Sequence, residues 1–445
     1  VLFRLFQLFL HRSADQLGGC IYVCNLFQKV FGVMVGKKSV TAVLALLLLI
    51  VNFVPAYAAD GILDEEYGKL SGQIRSFYFW QGTENNNGNL DKSKETFAVG
   101  GQLKYETPWL ADHFAAAMNL FWAAPLFDDL NQARYGNTGV LDKNNDGYAV
   151  IGEAYLTGRF GGTTAKVWRQ RIESPYLNGN DSRMVPNTFE AYGVESKDIE
   201  GLKIHLAWVD KIKLRDSDRF VSMTEAAGAN SKKGGLAMLG AEWQATEGTL
   251  IKGWNYYAPD LDNTLFIEVM HKREIYPGVE GRIRFQAVDQ RDVGTGYLGS
   301  YQTNEAGLLF GASYKGFNFD FGGTIVDDSA KIKTPWGVNP FFNMMMVNAF
   351  NRAGEKTLFL SATYDFSQVG IDGFTTNFKA ALGSTPDSGA NASADNNEYN
   401  LNLTYKFSGA LEGFSILNRW AYVDSDNSQG GDDAGQVRVR LQYNF

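Results

Sequence analysis

The chain has 445 residues, a net charge of −8 and two cysteines, Cys20 and Cys24. Its acidic balance argues against nucleic acid as a partner, because neutralising phosphates takes a basic face. With both cysteines so early, the rest of the chain can build no disulfide framework, thiol nucleophile or thiolate metal site.

The first element is a targeting signal. Met34 and the pair Lys37-Lys38 precede the apolar run VTAVLALLLLIVNFV, and PAYAAD follows with small residues at Ala56 and Ala58. This reads as a signal peptide over 34–58, cleaved before Ala59. Residues 1–33 lack a starting Met and lie upstream of a complete signal, so they are expected to be an over-extended start. One domain, 59–445, remains. It has no apolar run approaching the length of a membrane helix.

That domain alternates. In QVRVRLQYNF, Val437, Val439, Leu441, Tyr443 and Phe445 share one face, opposite Gln436, Arg438, Arg440, Gln442 and Asn444. NEYNLNLTYKF sets Tyr399, Leu401, Leu403, Tyr405 and Phe407 against Asn400, Asn402, Thr404 and Lys406. Such patterns predict strands near 70–80, 95–106, 113–123, 148–158, 163–172, 188–195, 201–210, 235–245, 249–257, 263–271, 280–289, 304–315, 317–327, 356–366, 374–383, 397–407, 414–423 and 436–445. Connections after odd strands are long, among them 81–94, 124–147, 173–187, 211–234 and 328–355; only 258–262 breaks the set. Those after even strands are short, such as Arg159–Gly162, Thr246–Gly248 and Gly316.

A soluble sandwich has no reason to alternate long and short loops. A transmembrane barrel does, and strands of about 9–11 residues cross a bilayer when tilted. Aromatic residues also sit at the ends of the apolar faces, where interfacial girdles belong. The fold class is therefore all-β: a closed, antiparallel, 18-stranded transmembrane barrel. A charge on the lipid face near mid-membrane costs about 2–4 kcal/mol. That cost places Arg282, Arg284, Lys379, Lys406, Arg438 and Arg440 inside.

Two segments stand apart from the pattern. DKNNDGYAVIGE fits a calcium-loop spacing, with Asp142, Asn144, Asp146, Tyr148 and Glu153 as oxygen donors. Against calcium, no helices flank it, Glu153 falls in a predicted strand, and Asp, Asn and Gly are ordinary turn residues. Any cation here would be structural, and no other cofactor is expected. ESPYLNGNDSRMVPNTFE (173–190) has no period and follows Arg169 and Arg171, which the spacing puts on one strand face. They read either as a forked pair facing the pore or as rim arginines paired with Glu173 or Asp181. Arg183 reads as a partner of Asp181 that pins the loop.

Two stretches, RQRIESPYLNGNDSRMVPNTFE (Arg169–Glu190) and FNRAGEKTLFLSATYDFSQVGIDGF (Phe350–Phe374), resemble the OprD family of outer-membrane porins. The resemblance implies an 18-stranded pore whose third loop folds inward. It implies a ladder of lumenal arginines and lysines, opposite acidic loop residues, that guides carboxylate-bearing solutes. On that basis Arg169, Arg183 and Asp181 belong to the constriction, and Arg352 and Glu355 to a seventh loop approaching it; Arg438 and Arg440 are ladder rungs by direction. Trp168 stands where a small residue is commoner. The resemblance also implies export to the outer membrane of a Gram-negative bacterium, with lipid, small solutes and the barrel-assembly machinery as partners. Monomer and homotrimer remain open.

The expected function is a water-filled channel for passive diffusion of small hydrophilic solutes and ions, sorting carboxylates through a basic eyelet. A general, cation-tolerant porin with a structural role is the alternative that suits the acidic balance. An outer-membrane enzyme is the remote one: His113, His205 and His271 are scattered, and none lies in a nucleophile motif.

Overall fold

Residues 67–84, 90–126, 137–230 and 232–445 are described by a computed structural model. The predicted signal peptide, the residues ahead of it and both cysteines lie outside the described residues. The strands are β1 (Lys69–Glu84), β2 (Leu90–Glu106), β3 (Phe114–Pro125), β4 (Tyr148–Phe160), β5 (Thr163–Gln170), β6 (Thr188–Ile199), β7 (Leu202–Lys213), β8 (Phe220–Ser222), β9 (Leu236–Thr246) and β10 (Thr249–Ala258). They continue as β11 (Asp262–Tyr276), β12 (Val279–Arg291), β13 (Gln302–Tyr314), β14 (Phe317–Val326), β15 (Lys356–Asp365), β16 (Phe374–Ser384), β17 (Asn396–Lys406), β18 (Phe414–Ser425) and β19 (Asp433–Asn444).

Each long strand pairs antiparallel with the next, and β19 pairs with β1 from Gln73↔Asn444 to Glu84↔Asp433. The ladder closes at the terminal residue, where Gly72 and Phe445 exchange backbone hydrogen bonds of 2.9 and 3.1 Å. β8 pairs only with β7, inside a loop, so eighteen strands form the wall. Closure leaves no unpaired edge in a medium that cannot hydrogen-bond one.

Alternation sets the two faces. Phe285, Leu308, Leu358 and Leu382 stand in one register row across β12 to β16 and are exposed, as a lipid-facing belt should be. Short turns join strands at one end. Lys315 (φ +43°) and Gly316 (φ +76°) make a two-residue turn with both residues left-handed, the twist an antiparallel hairpin favours.

Several boundaries differ from the sequence reading. β1 and β2 run on to Glu84 and back from Leu90, so most of the expected 81–94 loop is hairpin. The backbone register continues there through Gln81↔Lys94, Gly82↔Ser93 and Thr83↔Lys92, with the shift of a bulge before Glu84↔Leu90. The expected 211–234 loop carries β8 and a single helical turn, α1 (Met223–Ala226), capped by Ser222. β11 extends beyond residue 271 to Tyr276. The short connection after β10 holds, at residues 259–261.

The lumen is not merely polar. Phe77, Phe79, Phe121 and Val150 meet Val140, Leu141, Met184 and Val185 in one buried cluster. Trp254, Tyr256 and Phe266 meet Tyr176, Leu177, Ile332, Trp336 and Phe341 in another. In both, wall side chains seat loop side chains, so the long loops fold inward over a small core of their own.

Candidate pore constriction

The loop 171–187 between β5 and β6 holds no regular element, and its apolar residues explain where it lies. Tyr176, Leu177, Met184 and Val185 are each 3 % exposed or less. Burying such side chains contributes about 1.5–3 kcal/mol each, enough to hold an aperiodic segment against the inner wall. The Tyr256 hydroxyl adds a polar anchor, donating to Ser174 Oγ at 3.0 Å and accepting the Tyr176 N–H at 3.2 Å.

Arg75 on β1 is the main polar anchor. Its guanidinium, 2 % exposed, donates to both Asp181 oxygens at 2.8 and 3.2 Å. It also donates to the carbonyls of Arg183 and Met184, the latter at 3.0 Å. Burial alone would raise the Asp181 carboxyl, but the Arg75 bond and charge, with Arg171 and Arg440 nearby, hold it below its ordinary range. The expected Asp181–Arg183 pair does not form. Arg183 donates instead to Thr138 O at 2.9 Å and lies over the Phe79 ring at 4.8 Å.

Arg419 on β18 and Arg438 and Arg440 on β19 stand beside this loop, and Lys379 on β16 continues their row along the wall. Arg419 and Arg438 are register partners, directly opposite each other. Like charges so placed repel, and neutral oxygens hold them apart. Arg419 donates to Asn402 Oδ1 at 2.6 Å, and Arg438 to Gln436 Oε1 at 2.6 Å and to Met346 O, in the loop after β14, at 2.7 Å. Among the described residues, none of the four has a carboxylate within 4.0 Å. Arg440 and Lys379 make no hydrogen bond to other described residues through their charged ends; the Lys379 ammonium lies 5.9 Å from the Phe359 ring centre. The local field is strongly positive. Burial first, then the charges of Arg438, Arg215 and Arg419, push the Arg183 guanidinium below its ordinary range.

The other sequence-derived candidates fall into separate places. Arg169 and Arg171 do not act as a pair. β5 ends at Gln170 after Trp168 takes φ +89°, a conformation costly for a side chain so bulky. Arg169 pairs with Glu190 at 3.1 Å and packs on the Trp168 and Phe220 rings, while Glu190 also holds Lys211 at 2.7 Å. Arg171 turns to Glu153 at 3.0 Å and to Gln102, beside an open cavity lined by Gln73, Lys104 and Asn119. Arg282 is tied to Asp320 at 2.7 Å, and Arg284 approaches Glu268 at 3.8 Å. Arg352 and Glu355 hold each other at 2.6 Å, and Arg352 also ties down Ala394 O at 2.6 Å. Lys406 ends β17 at the short-turn end, exposed.

The calcium-loop spacing is not matched by the geometry. Asp142 Oδ1 is occupied in a turn, accepting the N–H groups of Asn144 and Asp146 at 2.9 and 2.7 Å. Tyr148 donates its hydroxyl to Arg215 O. Glu153 points into the lumen, bound by Arg171 and by Asn119 at 2.9 Å. A bulge at Gly152, opposite Asn119 and Leu120, re-aims the strand there, so the spacing in sequence does not become a cage in space. Among the described residues no group of three or more His, Cys, Asp or Glu is placed to hold a metal.

Arg75 and Arg419 were not singled out from sequence. The available signal was the same charge-inward argument that placed Arg438, applied to QIRSFYF and LNRWAYV. In β1 it was masked, because Phe77 and Phe79 share the lumenal face with Arg75 to seat the loops. The three described histidines stay apart: His113 meets Arg159 O, His271 meets Thr249 Oγ1, and His205 lies between two glutamates.

Residues 65–445 match the family profile described as outer membrane porin, OprD family. Comparison with curated protein sequences returned no match. Among solved structures, Pseudomonas aeruginosa OccK9 (OpdG) aligns with TM-score 0.76 and 23% identity over 84% of this chain and 97% of that one. The BenF-like porin of Pseudomonas fluorescens Pf-5 gives 0.75 and 20% over 84% and 98%. Pseudomonas aeruginosa OpdK, solved with vanillate, gives 0.73 and 19% over 84% and 98%. These likenesses carry the fold.

Proposed function

Because the chain belongs to the OprD family of outer-membrane porins, we propose that its channel passes small hydrophilic solutes bearing a carboxylate and sorts them at the cation row of β16, β18 and β19. The carrying observation is that Lys379, Arg419, Arg438 and Arg440 crowd the constriction with no carboxylate in ion-pair reach among the described residues. Arginine forks match a carboxylate in a bidentate way. In a channel, binding must be strong enough to favour entry and weak enough to release, and a row of rungs meets both needs by handing the anion on. Arg440 and Lys379, whose charged ends make no hydrogen bond to other described residues, are the contact residues. Arg75 and Asp181 are positioning residues that hold the loop. Vanillate, seen with OpdK at 19% identity, is a carboxylate and supports this class without naming the solute here.

Liposome swelling with matched carboxylate and amide solutes tests the reading. Carboxylates are expected to enter faster, and Arg440→Ala with Lys379→Ala is expected to remove that advantage while leaving the uncharged rate unchanged. Equal rates for both solute classes in the unaltered protein would sink it.

The cation-tolerant reading retains one observation of its own. The wall formed by β6, β7, β9 and β11 presents Glu195, Glu242 and Glu268 to the lumen. Glu195 and Glu268 are offset there by Lys203, Lys252 and Arg284, and Glu242 is the one of the three with no lysine or arginine within 4.0 Å among the described residues.

A further inference from the structure

On this wall, Glu195, His205, Gly240 and Trp254 form one register row across β6, β7, β9 and β10. A Cβ on Gly240 would collide with the Trp254 ring; its absence lets the indole lie over to the imidazole, with centroids 4.8 Å apart. The His205 ring is thereby fixed edge-on between two carboxylates: Nε2 is 3.1 Å from Glu242 Oε1, and Nδ1 is 3.5 Å from Glu195 Oε2. An ionised carboxylate only accepts. A neutral imidazole can still give its one N–H to Glu242, but only the imidazolium also attracts Glu195, whose 3.5 Å contact is an ion-pair separation.

The two glutamates are not equivalent. Glu195 also holds Lys197 at 3.3 Å and Lys203 at 3.0 Å. Among the described residues, Glu242 has His205 as its only ion-pair partner, because Lys252 on β10 is drawn to Glu268 at 3.3 Å. Its register partners Lys203 on β7 and Lys252 on β10 turn their ammonium groups to Glu195 and Glu268, so losing the ring proton removes the one cation within 4.0 Å of Glu242 among the described residues. Its side chain is 27 % exposed and that of Glu195 37 %, open enough for a permeating ion to feel the change. Trp254 belongs to the cluster that seats Tyr176 and Leu177, so this charge sits directly below the constriction, towards the short-turn end.

We propose that His205 is a pH-sensitive selectivity residue: its imidazolium masks Glu242, and its deprotonation turns this stretch of lumen cation-attracting. The proposal rests on the chain being a channel and does not depend on the carboxylate preference.

The test is reversal potential in a salt gradient across a planar bilayer, from about pH 5 to about pH 8, where imidazole is the side chain that titrates. The cation-to-anion permeability ratio is expected to rise roughly fivefold with pH, because one unit charge acting at about 8 Å through water favours the cation and disfavours the anion by a Boltzmann factor of about 2.4 each. His205→Gln is expected to hold the high-pH ratio throughout. Glu242→Gln is expected to lower the ratio at every pH and to move the midpoint of the rise to lower pH, since the lumen loses one negative charge and the ring a partner that favours its own charge. The same rise in His205→Gln as in the unaltered protein would overturn the proposal. So would an unshifted rise in Glu242→Gln, which also serves if His205→Gln does not fold.

Discussion

Replacing Arg75 by Ala should loosen the constriction without unfolding the barrel. The substitution leaves the Asp181 carboxylate without its partner and the carbonyls of Arg183 and Met184 without a donor. A buried group left unpaired costs about 1–3 kcal/mol, more when charged. The Asp181 side chain is 37 % exposed to the lumen, so water recovers part of that. A net loss of about 3 kcal/mol for the anchored state is reasonable, on the order of a hundredfold in the ratio of seated to released loop. The wall keeps its ladder, and Tyr176 and Leu177 stay anchored by their own cluster, so the effect is local. Single-channel recording should show larger and noisier conductance, and amide exchange should rise over 179–184 while the strands stay protected. Asp181→Asn should give a weaker version, and the double variant little more than Arg75→Ala alone, because both remove one interaction. Unchanged conductance and noise in Arg75→Ala, or strictly additive effects in the double variant, would refute the reasoning.

The same geometry predicts four further outcomes. Acid should release the loop only late: the Asp181 carboxyl is held below its ordinary value of 3.8, so its contribution is complete above that value and is lost as pH falls through the depressed one. Channel noise should therefore stay flat until pH drops below the ordinary carboxylate range. Tyr256→Phe should cost about 1–3 kcal/mol in local loop stability by stranding the Tyr176 N–H, read as faster exchange at that amide. Gly101→Ala should impair barrel assembly, since a Cβ there would collide with the Gln73 carbonyl across the β1–β2 ladder; a normal yield of heat-modifiable folded protein would contradict this. Millimolar calcium should leave the melting temperature unchanged, because Glu153 is held by Arg171 in the lumen rather than beside Asp142.

The limits of the sequence reading have particular causes. The strands β17 and β19 were legible because polar and apolar residues alternate with period two. β1 was harder, since Phe77 and Phe79 face inward with Arg75 to pack the loops, and inward aromatics blur the pattern. Arg169 and Arg171 were expected on one face, but Trp168 at φ +89° and the end of β5 at Gln170 send them to different partners. Asp181 was recognised as the acid of the loop and assigned the wrong arginine. Its true partner, Arg75, is 106 positions away, and no local rule links them.

What the sequence determined by itself is everything that depends on neighbours along the chain. The period-two faces, the alternating loop lengths and the cost of charge in lipid are enough to require a closed barrel with charged residues inside. What only the tertiary structure decided is which of those charges meet. Barrel closure sets β1 against β19 and so places Arg75, Arg438 and Arg440 in adjoining strands. The inward-folded loops then decide which cations are neutralised and which stay open to a solute. Those pairings arise from shear, bulges and loop packing, whose energies are sums over distant contacts, and a local pattern carries no record of them.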